Sequence, residues 1–226
     1  MSRWLRDLWD RLARRRPRMT VGVVCHRLLP EDLAALRDMG VRHVRLSLYP
    51  DADGGEWVQV AADAGLSPLV VSYRDSAHWD ADASVWPMAE WQYGNEPSDL
   101  DTTPSTPGIC SPGIRNDTPA ADIRRYAARM PAGQALAFHS YGQPLTLAAE
   151  RRLEAVQGTG RALWCTETGQ RDGTERELRD TLRVLERAGV ERTYIYALWS
   201  PDDAFTMTVG QRAAVQAWTR AQGGAR

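Results

Sequence analysis

Two glutamates of the sequence stand at the ends of strand-like runs. Glu96 ends WQYGNE (91–96), and Glu167 ends LWCTE (163–167). Glutamate is uncommon inside strands, and Pro97 ends the first run just beyond Glu96. Either residue alone could be a strand end that reaches water. Two carboxylates facing each other across a cleft, however, are the smallest set of catalytic groups that can cleave a glycosidic bond. A protonated carboxyl group donates to the leaving oxygen, and an ionised one attacks or activates water.

The ends of the other predicted strands carry hydrogen-bonding or aromatic side chains. They are Cys25, His26, Arg45, Tyr49, Ser72, Tyr73, Arg74, Asn95, His139, Ser140, Tyr141 and Trp199. Functional groups of a parallel barrel collect at the carboxyl ends of its strands, so we expect these residues to surround the two glutamates. Each also has a plainer interpretation, such as a surface ion pair for Arg45 or simple core packing for Trp199.

A repeating helix–glycine–strand unit must position these residues. Amphipathic helical runs end at Gly40, Gly65 and Gly189, and each glycine is followed by Val or Leu and a run of β-forming residues. The last helix also carries a capping box, formed by Thr174 and Glu177. Short connections between helices and nearly continuous apolar strands predict a parallel sheet that is covered by helices.

The pattern predicts seven strands and six helices. The predicted strands are 20–26, 42–49, 68–73, 89–95, 134–140, 161–167 and 193–199. The predicted helices are 30–39, 55–64, 119–130, 145–156, 174–188 and 209–221. Loops are expected at 51–57 and 74–86, on the rim of the cleft.

The predicted fold class is α/β, a single compact (β/α)8 TIM-type barrel. Seven strands are one short of that fold, so we expect a degenerate fifth βα unit around TPGICSPGI (106–114). A doubly wound open sheet is the alternative, but no GxGxxG motif opens the first helix.

Composition excludes several classes of protein. A net charge of −1 argues against nucleic-acid binding, and all 28 basic residues are arginine. The lack of lysine excludes Schiff-base chemistry, pyridoxal phosphate anchoring and a P-loop. Three scattered cysteines do not form a disulfide framework, and neither an EF-hand nor an HExxH spacing is present. We therefore expect no metal and no cofactor.

Residues 1–19 differ from the rest of the chain. They combine apolar residues at helical spacing with a basic cluster, and they lack the apolar core of a secretory signal. The segment is predicted to be a basic amphipathic arm that packs against or trails from the domain formed by residues 20–226. Contact with a membrane surface is the less favoured interpretation. The expected location is the cytoplasm.

Four motifs together resemble a known clan. GNEP (94–97), FHSY (138–141), WCTETG (164–169) and ALWS (197–200) are similar to motifs of retaining glycosidases built on the (β/α)8 barrel, which include cellulase-like, β-mannanase-like and β-xylosidase-like families. The resemblance covers about residues 20–222. It implies that Glu96 is the acid/base, with Asn95 beside it, and that Glu167 is the nucleophile.

The same resemblance assigns supporting roles. It implies that Arg45 and Tyr141 keep Glu167 ionised and aimed, that Asn95 binds a sugar hydroxyl, and that His139 and Trp199 belong to the substrate site. The partner would be an oligo- or polysaccharide. Two alternatives remain open: a carbohydrate-binding barrel without turnover, and a different, metal-dependent barrel enzyme.

Overall fold

The computed structural model describes residues 19–51, 54–100, 107–142, 147–200 and 205–223. The predicted N-terminal arm lies outside these residues except for Met19, which is fully buried. No helix in the described part of the chain is long and apolar enough to cross a membrane.

Strands and helices alternate along the chain, as the repeating pattern predicts. The strands are β1 Thr20–Val24, β2 His43–Leu48, β3 Ser67–Ser72, β4 Glu90–Tyr93, β5 Leu136–Tyr141, β6 Leu163–Gly169 and β7 Val190–Ile195. The helices are α1 Pro30–Asp38, α2 Gly55–Asp63, α3 Trp79–Val85, α4 Ala120–Arg129, α5 Leu147–Gln157, α6 Glu175–Arg187 and α7 Val209–Gly223, with a 3-10 turn at Ser76–His78.

Local signals explain most of the element boundaries. Gly40, Gly65 and Gly189 follow α1, α2 and α6 with φ of 69°, 73° and 81°, a conformation that costs glycine little. At the start of α6, Thr174 Oγ1 accepts the Glu177 amide while the Glu177 carboxylate accepts the Thr174 amide, which confirms the predicted capping box.

The seven strands form one parallel sheet in the order β4-β3-β2-β1-β7-β6-β5. The sheet is curled, because residues of strands that are not neighbours meet on its inner face. Glu90 of β4 forms an ion pair with Arg192 of β7, and Arg45 of β2 lies 2.7 Å from Glu167 of β6.

Alternation along the strands divides the core into two layers. Val44, Leu46, Trp91 and Tyr93 belong to the large apolar layer between the sheet and the helices. A smaller cluster fills the concave side and draws on six separate stretches of chain: Val24, Leu69, Cys110, Ala135, Ala137, Trp164, Tyr194 and Ala197. These residues can pack together only because the sheet curves.

Segment 109–114 lies between the two edge strands of the sheet. Cys110 bridges both Gln92 of β4 and Ala135 beside β5, and Ile114 bridges Phe138 of β5. Backbone hydrogen bonds accompany these bridges, including Ile109 N to Trp91 O (2.9 Å). The segment forms isolated bridges rather than a ladder. The described sheet therefore has seven strands, and the segment predicted as a degenerate fifth βα unit contributes isolated bridges in place of an eighth strand.

Two boundary predictions are wrong. Residues 74–86 form a 3-10 turn and α3 instead of a loop, because Asp75 caps the Ala77 amide and the buried Asp82 pairs with Arg74. The last strand occupies Val190–Ile195 instead of 193–199. The apolar run continues past its end, so the sequence alone does not mark where pairing stops.

We expect Ile114→Ala to lower the free energy of unfolding by about 2–5 kcal/mol, because Ile114 is fully buried between β4 and β5. Ile109→Ala is the matched control in the same segment. Its side chain is exposed, so the change should stay within about 0.5 kcal/mol. Urea unfolding measures both values. Equal small effects would show that the segment is not part of the cooperative core.

Candidate active site

Six of the seven predicted site residues meet at the carboxyl end of the curled sheet. Arg45 comes from β2, and Asn95 and Glu96 follow β4. His139 and Tyr141 come from β5, and Glu167 comes from β6. Direct contacts link all six. Trp199 is the exception, as described below.

A local irregularity places Glu167. The pairing of β5 with β6 shifts between Phe138 and His139, and that of β6 with β7 shifts between Cys165 and Thr168. Such bulges re-aim side chains beside functional sites. Here the carboxylate of Glu167 points into the concave side although every residue of β6 is buried.

Both oxygens of the Glu167 carboxylate have partners. Arg45 Nη1 donates to Oε1 at 2.7 Å, and Asn95 Nδ2 donates to the same oxygen at 3.4 Å. The Tyr141 hydroxyl donates to Oε2 at 2.5 Å. Charge-assisted bonds of this kind fix both the position and the ionisation of a carboxylate.

The ionised form of Glu167 is favoured. Burial opposes ionisation more than any other single effect, but the charges of Arg45 and His139 and the hydrogen bonds from Tyr141 and Arg45 together hold the pKa of Glu167 below its ordinary value. Burial, the negative charge of Glu167 and the hydrogen bond to it raise the pKa of Tyr141 far above the ordinary range. Tyr141 therefore remains a hydroxyl donor.

Glu96 is in a different environment. β4 ends at Tyr93, and Glu96 follows on a turn where its φ is 45°, in the left-handed region. Its side chain is 43% exposed, whereas that of Glu167 is 11% exposed. His139 Nδ1 lies 2.8 Å from Glu96 Oε1. Glu96 is thus open to solvent and to a ligand, while Glu167 is enclosed.

His139 stands between the two glutamates. It is fully buried, and its Nε2 lies 3.6 Å from Glu167 Oε1. One potential ligand atom from each of Glu96, His139 and Glu167 lies within 4.8 Å of the others, an arrangement that could also hold a metal ion. The guanidinium of Arg45 already occupies the Glu167 oxygen, however, and its positive charge opposes a second cation. The cluster fits proton transfer better than metal binding.

Gln92 belongs to the site, although the sequence analysis did not name it. Its Oε1 accepts from Arg45 Nε at 3.5 Å, and its Nε2 donates to Asn95 Oδ1 at 3.3 Å. Asn95 Oδ1 also accepts from Arg45 Nη2 at 3.0 Å. Gln92 is a polar residue between the outward Trp91 and Tyr93, so the period of the strand could have revealed that it faces inward.

Tyr196 is a second residue of the site that the sequence did not predict. It directly follows β7, and its hydroxyl lies 3.1 Å from His26 Nε2. Its ring meets Tyr141 edge to face at a centroid distance of 6.0 Å. Trp199 was predicted at this strand end, but it lies four residues beyond Ile195, with the Arg27 guanidinium 4.3 Å from its ring centroid. No described hydrogen bond or ring contact links Trp199 to either glutamate, and its substrate role stays a prediction.

Two stacked tyrosines border the site. Tyr49 follows β2 and Tyr73 follows β3, and their rings are 5.4 Å apart and nearly parallel at 7°. Both are about two-fifths exposed, at 42% and 40%. Burial raises the pKa of Tyr73, and the charge of Arg45 opposes this shift. The pair is therefore an open aromatic surface beside the polar cluster.

Comparison with known proteins supports the fold. No family model matches the chain, and no curated protein matches its sequence. The structure is similar to the endo-β-1,4-mannanase of Thermotoga petrophila, with a TM-score of 0.57 and 9% identity over 95% of this chain and 79% of that one. It is also similar to the endo-β-1,4-glucanase Xac0029 of Xanthomonas axonopodis pv. citri, with a TM-score of 0.58 and 11% identity over 90% and 99% of the two chains. A third similar structure is XacCel5A in complex with cellopentaose, with a TM-score of 0.52 and 11% identity over 89% and 99%.

We expect Arg45→Met to raise the pKa of Glu167, because the cation beside its carboxylate is removed. The lowered pKa of Glu167 stabilises the fold at neutral pH, a contribution that is lost as the pH falls through that pKa. Removing one partner of a buried pair costs about 3–5 kcal/mol. Urea unfolding followed as a function of pH measures both the loss of stability and the change in its pH dependence.

Arg74→Met is the control for this prediction. Arg74 pairs with the buried Asp82 outside the polar cluster, so its loss should lower stability without removing the contribution of Glu167 to the pH dependence of unfolding. An unchanged pH dependence of unfolding in the Arg45 variant would contradict the stabilisation of the Glu167 carboxylate by Arg45.

Proposed function

We propose that the chain is a retaining glycoside hydrolase that cleaves a β-linked glycan by double displacement. The observation that carries the proposal is the pair of glutamates in unlike environments, with carboxylate oxygens within 4.8 Å of each other. This upper bound for one oxygen of each carboxylate favours the about 5–5.5 Å between the carboxyl groups of retaining enzymes over the about 6.5–9.5 Å of inverting ones.

In the first step, the protonated carboxyl group of Glu96 donates its proton to the glycosidic oxygen while the carboxylate of Glu167 attacks the anomeric carbon. The bond to the leaving group breaks, and a glycosyl-enzyme ester forms on Glu167. In the second step, the Glu96 carboxylate takes a proton from water, and the water oxygen displaces Glu167 from the anomeric carbon. The exposure of Glu96 suits both steps, since it must reach a leaving group and then water.

The proposal also assigns the supporting residues. Arg45 and Tyr141 keep Glu167 ionised and aimed, and His139 holds the carboxyl group of Glu96. Asn95 binds the sugar hydroxyl next to the anomeric carbon, since its amide lies beside Glu167. Segment 109–114 takes the place of the eighth strand and closes the barrel.

The substrate of the proposal is an oligo- or polysaccharide. The mannanase and glucanase to which the fold is similar, and the cellopentaose bound to XacCel5A, support this class. The exposed rings of Tyr49 and Tyr73 suit the apolar faces of pyranose units. A surface cavity beyond Glu96, lined by residues 97–100 and by five residues between Arg115 and Asp122, would receive the leaving-group side of the glycan.

We expect the wild-type chain to hydrolyse an aryl β-cellobioside or β-mannobioside and to release the β-anomer first, as monitored by ¹H NMR. Glu167→Gln should abolish turnover with every substrate, because no glycosyl-enzyme can form. Glu96→Ala should retain activity on dinitrophenyl glycosides, whose leaving group needs no proton, and azide should restore turnover.

Glu90→Gln is the matched control, since Glu90 is a carboxylate of β4 that pairs with Arg192 away from the site. Its turnover should stay near that of wild type. Release of the α-anomer first would contradict the retaining mechanism. Saccharide binding without turnover by the wild type would favour the non-catalytic carbohydrate-binding barrel instead.

We expect Tyr49→Ala to raise KM for a β-1,4-linked tetrasaccharide about tenfold, the loss of about 1.4 kcal/mol of aromatic stacking. Tyr49→Phe should retain the wild-type KM because it keeps the ring. Tyr49 is the cleaner test of the pair, since Tyr73 also interacts electrostatically with Arg45 and Glu167. If the alanine and phenylalanine variants have the same KM, then the stacked pair does not bind the substrate.

A further inference from the structure

Gly113 connects segment 109–114 to the turn that contains Asn95 and Glu96. Its carbonyl oxygen accepts the Glu96 amide at 2.8 Å, and Gly113 forms a parallel bridge with Asn95. On its other side, Ile114 bonds both to Ala137 and to the amide of His139. The backbone of Gly113 therefore lies between Glu96 and His139, which hydrogen-bond to each other.

Only a residue without a side chain fits at this position. A Cβ on Gly113 would lie 2.6 Å from Asn95 Oδ1 and still closer to His139 Nε2, inside the separation that real Cβ atoms reach. The φ of Gly113 is outside the left-handed region, so its backbone conformation alone does not require glycine. Glycine is needed here for close approach.

Neither His139 nor Asn95 can move away from a Cβ on Gly113 without disturbing its other contacts. His139 is fully buried, and Asn95 is bonded to Arg45, Gln92 and Glu167. Glu96 depends on the same contacts, because its left-handed backbone is unfavourable for a glutamate and persists only where neighbours hold it. The Gly113 carbonyl and the His139 ring are two such neighbours.

We propose that Gly113 is a positioning residue for the acid/base. Because Gly113 lacks a side chain, the His139 ring and the backbone amide of Glu96 can lie close together. This arrangement aims the Glu96 carboxyl group at the leaving oxygen. This inference rests on the proposed function. Glu167 is held separately by Arg45 and Tyr141, so a disturbance at Gly113 acts first on the proton donor.

The test compares leaving groups in Gly113→Ala. A misplaced proton donor slows the release of 4-methylumbelliferone, which needs a proton, more than that of 2,4-dinitrophenol, which does not. We expect kcat/KM for the methylumbelliferyl β-cellobioside or β-mannobioside to fall by about tenfold or more, against less than about threefold for the dinitrophenyl glycoside. Azide should then accelerate turnover of the dinitrophenyl substrate by the variant.

Gly108→Ala, one residue before segment 109–114, is the matched control. A Cβ at Gly108 would lie 2.5 Å from the Trp91 carbonyl oxygen, at the end of the segment away from the glutamates. Its melting temperature should fall while the ratio of the two rates stays that of wild type. An equal loss of both rates in Gly113→Ala, or an unchanged ratio, overturns the inference.

A double variant and the activity of the wild type provide two further tests. If Gly113→Ala does not fold, the double variant with His139→Ala relieves the closest contact, and its rate ratio should equal that of His139→Ala alone. A further loss in the double variant shows that Gly113 does not act through His139 and overturns the inference. If the wild type cleaves neither glycoside, the proposed function fails and the inference with it, whereas cleavage with an unaltered ratio leaves the proposed function intact.

Discussion

The buried ion pair between Arg45 and Glu167 is the constraint on which the polar interior of this protein depends. Burying either charge alone would cost several kcal/mol, and the pair is tolerable only where its remaining donors and acceptors are satisfied. Gln92 and Asn95 accept from the guanidinium, and Tyr141 donates to the carboxylate. The pair therefore requires polar residues on two other stretches of chain, β4 with the turn after it and β5, and these residues in turn need a sheet that curls far enough to bring them together.

The two glutamates differ because their backbones differ. Glu167 lies within a fully buried strand, beside a shift in pairing, and its carboxylate is fixed at both oxygens. Glu96 lies on a turn past the end of β4, where its side chain is more exposed and its carboxylate lies 2.8 Å from His139 Nδ1. In the proposed mechanism, the nucleophile must approach one carbon in one geometry, whereas the acid/base must serve first a leaving group and then water. The rigid strand suits the first task, and the open turn suits the second.

The sequence predicted much of this arrangement because its signals are local. A glycine after an amphipathic run marks a helix end, as Gly40 and Gly189 do, and Glu96 and Glu167 are conspicuous at the ends of apolar runs. Gln92 was missed because an isolated glutamine in an aromatic run gives no hint of its partner, which is 47 residues away. Tyr196 was missed because the apolar run continues beyond β7, and only pairing with β6 shows that the strand ends at Ile195.

Segment 109–114 was predicted as a degenerate unit only from the strand count, because its own residues give no strand signal. Pro112 cannot donate a backbone hydrogen bond, and Gly113 weakens a strand, so no local propensity marks the segment as part of a sheet. Its bonds are single bridges to β4 and β5, and residues 110–114 are all buried. The glycine that makes the segment a poor strand also allows it to lie close to the site, however. A backbone without a side chain at Gly113 can lie against His139 and Asn95, where an ordinary strand residue would push them apart. The irregularity of the segment and the compactness of the site therefore have a common cause.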